Sequence, residues 1–323
     1  MSYKLYIKGV LLSVSIGVVS LLISSLVPLI SSMLIGLLLG ILIGNLTSIP
    51  DTFNKGIQYT SGKMLEFSLL FLAIGINFSH ITRIGGYNFV YLSLSVLAVL
   101  TISLIYTKKF NRGNSGTFLV GFGTAICGSS AIAAISPSIN SDKKDVAISL
   151  AVVNLIGTLG MLALPGILTY LHFSDLRSGF IIGGGLHSVA NVAGAGFAVN
   201  DETARIAITI KLARVALLSP AMILYSYFIR KDAVSNWKEH FKLPWYVWSF
   251  VGISVVASFI SIPAQLIKES ENIGKIILTI AMSAIGLKVS FKTLLQSGRN
   301  AMIFGLALFA FFILVLGLFS LNI

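Results

Sequence analysis

The dominant pattern along this chain is long apolar runs separated by short polar breaks. A helix needs about 20 mostly apolar residues to cross a hydrocarbon core. Eleven runs meet that rule: Gly9–Val27, Pro28–Leu46, Met64–Phe78, Tyr87–Tyr106, Thr117–Ile139, Val146–Leu171, Leu176–Val199, Thr203–Ile229, Pro244–Ile262, Ile273–Val289 and Asn300–Leu321. Between the second and third, Asp51–Lys63 is polar and amphipathic and reads as a helix lying at the interface. Every connection is short, the longest polar one being Arg230–Leu243, so no soluble domain is left over. The expected fold is an all-α polytopic membrane protein, with residues 1–323 forming a single transmembrane domain of 11 helices. The first run is full length and no small-residue cleavage site follows it, so no cleavable signal peptide is expected.

Two runs are irregular. Thr117–Ile139 is apolar at both ends but carries Cys127-Gly128-Ser129-Ser130 at its centre. Glycine costs about 1 kcal/mol relative to alanine inside a helix, and serine prefers caps to helix interiors. Leu176–Val199 contains six glycines, three of them consecutive at Gly183–Gly185. Such runs read as pairs of half-helices meeting at a break, which secondary transporters use near the midplane to build substrate sites. The alternative is close helix packing through small residues. A weak internal echo is also present: Ser48-Ile49-Pro50 leads to Ala73-Ile74-Gly75, and Ser261-Ile262-Pro263 leads to Ala284-Ile285-Gly286. The echoing segments run oppositely by the span count, the character of an inverted repeat. By the same count the fifth and seventh spans run the same way and cannot be repeat mates. The fifth and tenth run oppositely, so the expected crossing is Gly128 with Gly286, His187 standing alongside.

Charge then fixes an expected orientation. The N-terminal side collects fifteen Lys and Arg, the other side six, and two lie inside the eighth span. That excess places the N-terminus in the cytoplasm and the C-terminus outside. A net charge of +12 would suggest nucleic acid in a soluble protein, but here it falls mostly in short loops. Charged residues make up 11% of the chain, against about 25% for a soluble domain. The lone Cys127 excludes an internal disulfide and a multi-cysteine metal site.

The candidate chemistry sits within the spans. Lys211 and Arg214 lie three apart on one face of the eighth. Intramembrane charge is costly and marks a functional site by default, and positive charge without a deep carboxylate favours an anion. The alternative is snorkelling or pairing with helix C-terminal carbonyls. Lys288, near the end of the tenth span, carries the same two readings. Gly128, Ser129 and Ser130 would offer N–H groups and hydroxyls at a half-helix N-terminus, a natural anion site. His187 and Asn191 are one helical turn apart, and a satisfied packing histidine is the alternative there. Gly183–Gly185 lacks the G-K-[ST] of a phosphate loop. No deep carboxylate is available to orient His187 in a catalytic triad, so no enzyme activity is expected.

The segments GTAICGSSAIAAISP, DVAISLAVVNLIGTLGMLALP, GLHSVANVAGAG, KLARVALLSP and AMSAIGLKV occur in an order that resembles the YeiH-type membrane proteins, a family named for sulfate export. The resemblance covers nearly the whole chain. It implies a plasma-membrane transporter related to the bile acid, arsenite and riboflavin carriers. It also implies two inverted five-helix repeats, 28–171 and 176–323, a panel and a core, and two broken helices that cross. Two positions depart from the family pattern. Ser188 stands where many members have an acid after the His, and Asn77 where many have Arg after the third-span glycine.

The expected function is alternating-access transport of a small anion, sulfate or sulfonate-like. Its substrate-binding candidates are Gly128, Ser129, Ser130, His187, Asn191, Lys211, Arg214, Gly286 and Lys288. The expected partners are the bilayer, the anion and a coupling ion, proton or sodium, with a second copy of the chain as a further candidate. Proton coupling would run through His187, the deep group that titrates near neutral pH. Neither cofactor nor metal is expected. The alternatives are a sodium-coupled organic-anion carrier and, further off, an intramembrane enzyme or a receptor.

Overall fold

The computed structural model describes residues 4–26, 31–74, 78–109, 115–136, 139, 141–218, 220–222, 224, 245–260, 262–289 and 299–323. Every described element is helical. They are α1 (Lys4–Leu26), α2 (Ser32–Leu46), α3 (Asp51–Tyr59), a π turn (Thr60–Met64), α4 (Leu65–Ala73), α5 (Phe78–Lys109), α6 (Ser115–Ala125), α7 (Ser129–Ile135) and α8 (Lys143–Tyr170). They continue with α9 (Asp175–Gly185), α10 (Val189–Val199), α11 (Asp201–Ala216), α12 (Trp245–Phe259), α13 (Ala264–Lys288) and α14 (Arg299–Ser320). Among the described residues, five helical stretches are long and apolar enough to cross a membrane: Tyr6–Leu26, Gly86–Lys109, Lys144–Tyr170, Ala264–Lys288 and Arg299–Ser320. The loop Arg230–Leu243 and Asn77 lie outside the described residues.

The chain divides into two compact units, residues 1–83 with 244–291, and residues 84–243 with 292–323. In the first unit the segment Asp51–Lys63 is not a separate interfacial helix. It is the first half of a helical run that passes through the π turn into α4, and its Gly56 sits against Gly9 of α1. Pro50 precedes this run and Pro263 precedes α13, each in extended backbone. Proline lacks an N–H that a helix start would leave unpaired anyway. The two echoing helices pack on each other: Ser270 Oγ donates to Phe71 O at 2.8 Å, and Gly274 lies against Leu72.

α13 is unbroken through Gly286. Gly286 is a packing residue: a Cβ there would stand 2.3 Å from Leu37 O and 2.9 Å from the Cα of Gly40. It lets α13 and α2 touch backbone to backbone, helped by Ser32 Oγ and Thr279 Oγ1 at 3.0 Å. The expected break at Gly286 is therefore not what forms.

The second unit is built on α8. At its N-terminal end, Ser115 donates to the Asp145 carboxylate, and Ser149 Oγ donates to Gly116 O at 3.0 Å. Segment 115–142 thus starts and finishes at the same end of α8. α6 runs beside α8 to its middle, the chain turns at Ile126–Gly128, and α7 comes back, with Ile132 packed on Gly123. At the far end, Asn200 Nδ2 and Thr203 Oγ1 both donate to Asp175 Oδ1, at 2.7 and 2.9 Å. α9 and α10 therefore form a second hairpin, turning at Leu186–Ser188. The fifth and seventh runs are not broken crossings. Each is a helical hairpin, and the two approach from opposite ends of α8.

Local sequence explains the hairpin ends. Ser174, Ser188 and Asn200 cap α9, α10 and α11, their side chains accepting from Arg177 N, Asn191 N and Thr203 N. At the first turn Gly128 has φ +68° and ψ −124°, a conformation that side chains rarely adopt.

Candidate functional site

The two hairpin tips meet at the middle of α8. Gly128 lies against His187 and Val153, Ser129 Oγ donates to Asn154 Oδ1, and Gly157 faces His187 and the Asn191 amide. A Cβ at position 157 would stand 2.3 Å from Asn191 Nδ2, so glycine there makes room for the second tip. α14 covers the junction. Its Phe309 ring lies 5.4 Å from the His187 ring, and its Phe312 ring lies 4.7 Å from the Arg214 guanidinium.

Lys211 and Arg214, one turn apart on α11, are both 0% exposed. Their partners follow from the carbonyls that helix ends leave unpaired. α6 ends at Ala125. Phe122 O accepts from Ile126 N and Gly123 O from Gly128 N, at 3.2 and 2.8 Å. The next three carbonyls go to the cations: Thr124 O accepts from Arg214 Nη2, Ala125 O from Arg214 Nε at 2.9 Å, and Ile126 O from Lys211 Nζ at 2.9 Å. In the second hairpin, Ile182 O accepts from Leu186 N at 3.1 Å. Gly184 O accepts from Arg214 Nη1 at 2.6 Å, and Leu186 O from both Arg214 Nη1 and Lys211 Nζ, at 2.9 and 2.7 Å.

The cation pair is thus placed on helix C-terminal carbonyls, the alternative weighed from sequence. It clasps both tips through their negative ends, each worth about half a charge. Two cations against two such ends leave about one positive charge at the junction. The N-termini of the returning helices, beginning after Gly128 and Ser188, lie at the same tips and add positive potential.

Polar groups complete the junction. His187, 1% exposed, has Nε2 3.4 Å from Thr124 Oγ1, while Nδ1 has no hydrogen-bond partner among the described residues. Ser130 Oγ donates to Cys127 Sγ at 2.8 Å. Ser129 is half-buried and Ser130 and Asn154 are exposed, so the first tip is reachable. No cluster of His, Cys, Asp or Glu suited to a metal occurs among the described residues.

Of the nine sequence candidates, seven gather at this junction: Gly128, Ser129, Ser130, His187, Asn191, Lys211 and Arg214. Gly286 and Lys288 belong to the first unit. Lys288 Nζ lies 3.4 Å from Ser61 Oγ, beside a cavity of about 480 Å³ lined by Gly44, Asn54 and Gln58 among others. Thr124 and Asn154 were not singled out from sequence. An asparagine within an apolar run was a usable signal for the second; nothing distinguishes Thr124 from other threonines.

A model of the family described as "Conserved hypothetical protein 698" matches residues 8–305. The chain belongs to this family. It is the YeiH-type family that the sequence resembles. A relative in Oceanobacillus iheyensis, "UPF0324 membrane protein OB3406", is 30% identical over 263 residues, 80% of this chain and 77% of its own length. Relatives in Helicobacter hepaticus and Lactococcus lactis are each 31% identical, covering 82% and 80% of this chain and 81% of their own lengths. Both are likewise named UPF0324 membrane proteins. Among solved structures, the sodium proton antiporter MjNhaP1 of Methanocaldococcus jannaschii matches at 16% identity over 100% of this chain and 99% of its own, with a TM-score of 0.32. That score is too low for the likeness to inform the reading of this fold.

Proposed function

We propose that this family member is a secondary transporter for a small anion, sulfate or sulfonate-like, working by alternating access. The observation that carries the reading is the meeting of two re-entrant hairpins at a buried, positively charged junction. Non-helical backbone at membrane depth is tolerated where it is enclosed by protein or lines a watery cavity, and irregular tips of this kind serve as transporter binding sites. In this reading the anion is held by the Ser129 and Ser130 hydroxyls, the Asn154 and Asn191 amides and the N–H groups that open the second hairpin's returning helix. Lys211 and Arg214 supply field rather than contact. Sulfate is favoured by the family resemblance alone.

The topology proposed with it keeps the N-terminus inside and the C-terminus outside. Treating both hairpins as re-entrant moves Lys143 and Lys144 to the inner side and Arg177 to the outer, so fifteen against six becomes sixteen against five. The repeats are then inverted but circularly permuted: the first hairpin and α8 correspond to the second hairpin and α11, and α3–α4 to α13. The test is flux in proteoliposomes with labelled sulfate, sulfite, thiosulfate, taurine and bicarbonate. Saturable uptake of one of them supports the reading; none above empty vesicles overturns it.

A further inference from the structure

Lys211 Nζ stands 2.9 Å from Ile126 O and 2.7 Å from Leu186 O. These carbonyls are equivalent, each belonging to the first residue past the C-terminus of a hairpin's ingoing helix. The two helices arrive from opposite ends of α8. Two negative helix ends therefore converge on one buried point, Lys211 being 0% exposed. No acidic residue occurs from Thr203 to Lys231, between Asp145 and Asp175, or between Asp175 and Asp201, so backbone oxygens are what the point offers a cation. Half-helix C-terminal carbonyls are how many secondary transporters hold a coupling sodium.

We propose that Lys211 is a tethered coupling cation: its ammonium fills the monovalent-cation position formed by the two hairpin tips, so the junction is complete without a free ion. Sodium therefore has no role at this point. The flux consequence rests on the transport reading above; the occupancy of the carbonyl pair does not. Arg214 keeps its own bonds to Thr124, Ala125 and Gly184 when Lys211 is truncated. Truncation then frees Ile126 O completely and Leu186 O in part, leaving a place that a small free cation can enter.

The experiment melts detergent-purified wild type and Lys211→Ala in choline, sodium, ammonium and methylammonium chloride at equal ionic strength. Wild type should melt at one temperature in all four. Lys211→Ala should melt lower in choline and rise by about 2–3 °C with ammonium or sodium at roughly ten times its dissociation constant. A variant that responds no more than wild type, or a wild type stabilised selectively by sodium, overturns the proposal. If Lys211→Ala is not recovered folded, the wild-type series decides: indifference to sodium supports the tethered cation and selective stabilisation removes it. Sulfate flux by wild type should be equal in sodium and in choline. Absence of any flux would count against the transport reading while leaving the melting result intact.

Discussion

Replacing Arg214 by alanine separates a structural clasp from a direct anion ligand. Among the described residues, the side chain is the donor that Thr124 O, Ala125 O and Gly184 O find, and it shares Leu186 O with Lys211. A buried carbonyl left unpaired costs about 1–3 kcal/mol, and contact with Phe312 is lost as well. Relief of the cation's own desolvation, several kcal/mol, works in the other direction. Removing one partner of a buried charged set commonly nets about 3–5 kcal/mol of destabilisation. For a chain this long that corresponds to a fall in Tm of about 5–8 °C. The assay is thermal unfolding of the purified protein in detergent, without anion and then with sulfate. Arg214→Lys keeps the charge but loses the fork, and should fall between alanine and wild type. A ligand residue would behave differently: its alanine variant would keep the anion-free Tm and lose only the sulfate-induced rise. An anion-free Tm within about 2 °C of wild type would refute the clasp, since it leaves only about 1 kcal/mol for three carbonyls.

Other substitutions test separate parts of the fold. Gly128→Ala should cost about 1–3 kcal/mol, because φ is +68° and the new Cβ would lie 3.1 Å from that of His187; thermal unfolding measures it. Gly286→Val should lower Tm by forcing α13 from α2 yet keep any sulfate-induced rise, and losing the rise alone would return Gly286 to the binding site. In a Cys127→Ser background, Ser115→Cys with Asp145→Cys should form a disulfide under mild oxidation, read by a gel shift after protease nicking; through-crossing helices would hold these positions at opposite faces. Flux by wild type between pH 5.5 and 8 should follow a profile that His187→Gln flattens, and an unchanged profile would remove proton coupling through this residue.

The apolar runs and both interruptions were legible because glycine and serine clusters are poor helix interior wherever they stand. What composition does not carry is whether the chain passes on or turns back at such a point. That is decided by Asp145 and Asp175, which read from sequence as ordinary span-end acids. Only their bonds to Ser115, Asn200 and Thr203 reveal that each hairpin closes where it began. In the proposed topology the direction argument against pairing the fifth and seventh runs no longer applies. Lys211 and Arg214 were visible as a pair on one face, but their acceptors are main-chain carbonyls, which every residue has. Gly286 carried the same ambiguity as Gly128. Its neighbours Leu37 and Gly40 required close approach, whereas Gly128 required a left-handed turn.

The clasp also orders events while the chain is being made. The carbonyls at Thr124, Ala125 and Ile126 precede their donors by 85 to 90 residues. At about 5–20 residues per second, α11 emerges some 4–18 s after the first tip. In the proposed topology the first hairpin has, throughout that interval, helix ends that hydrocarbon cannot satisfy. It must wait beside water, or inside the insertion machinery, until Lys211 and Arg214 arrive. Maturation of the junction is then a late, concerted step, and a nascent chain truncated before Lys211 should hold its first hairpin open to water-soluble thiol reagents at Cys127.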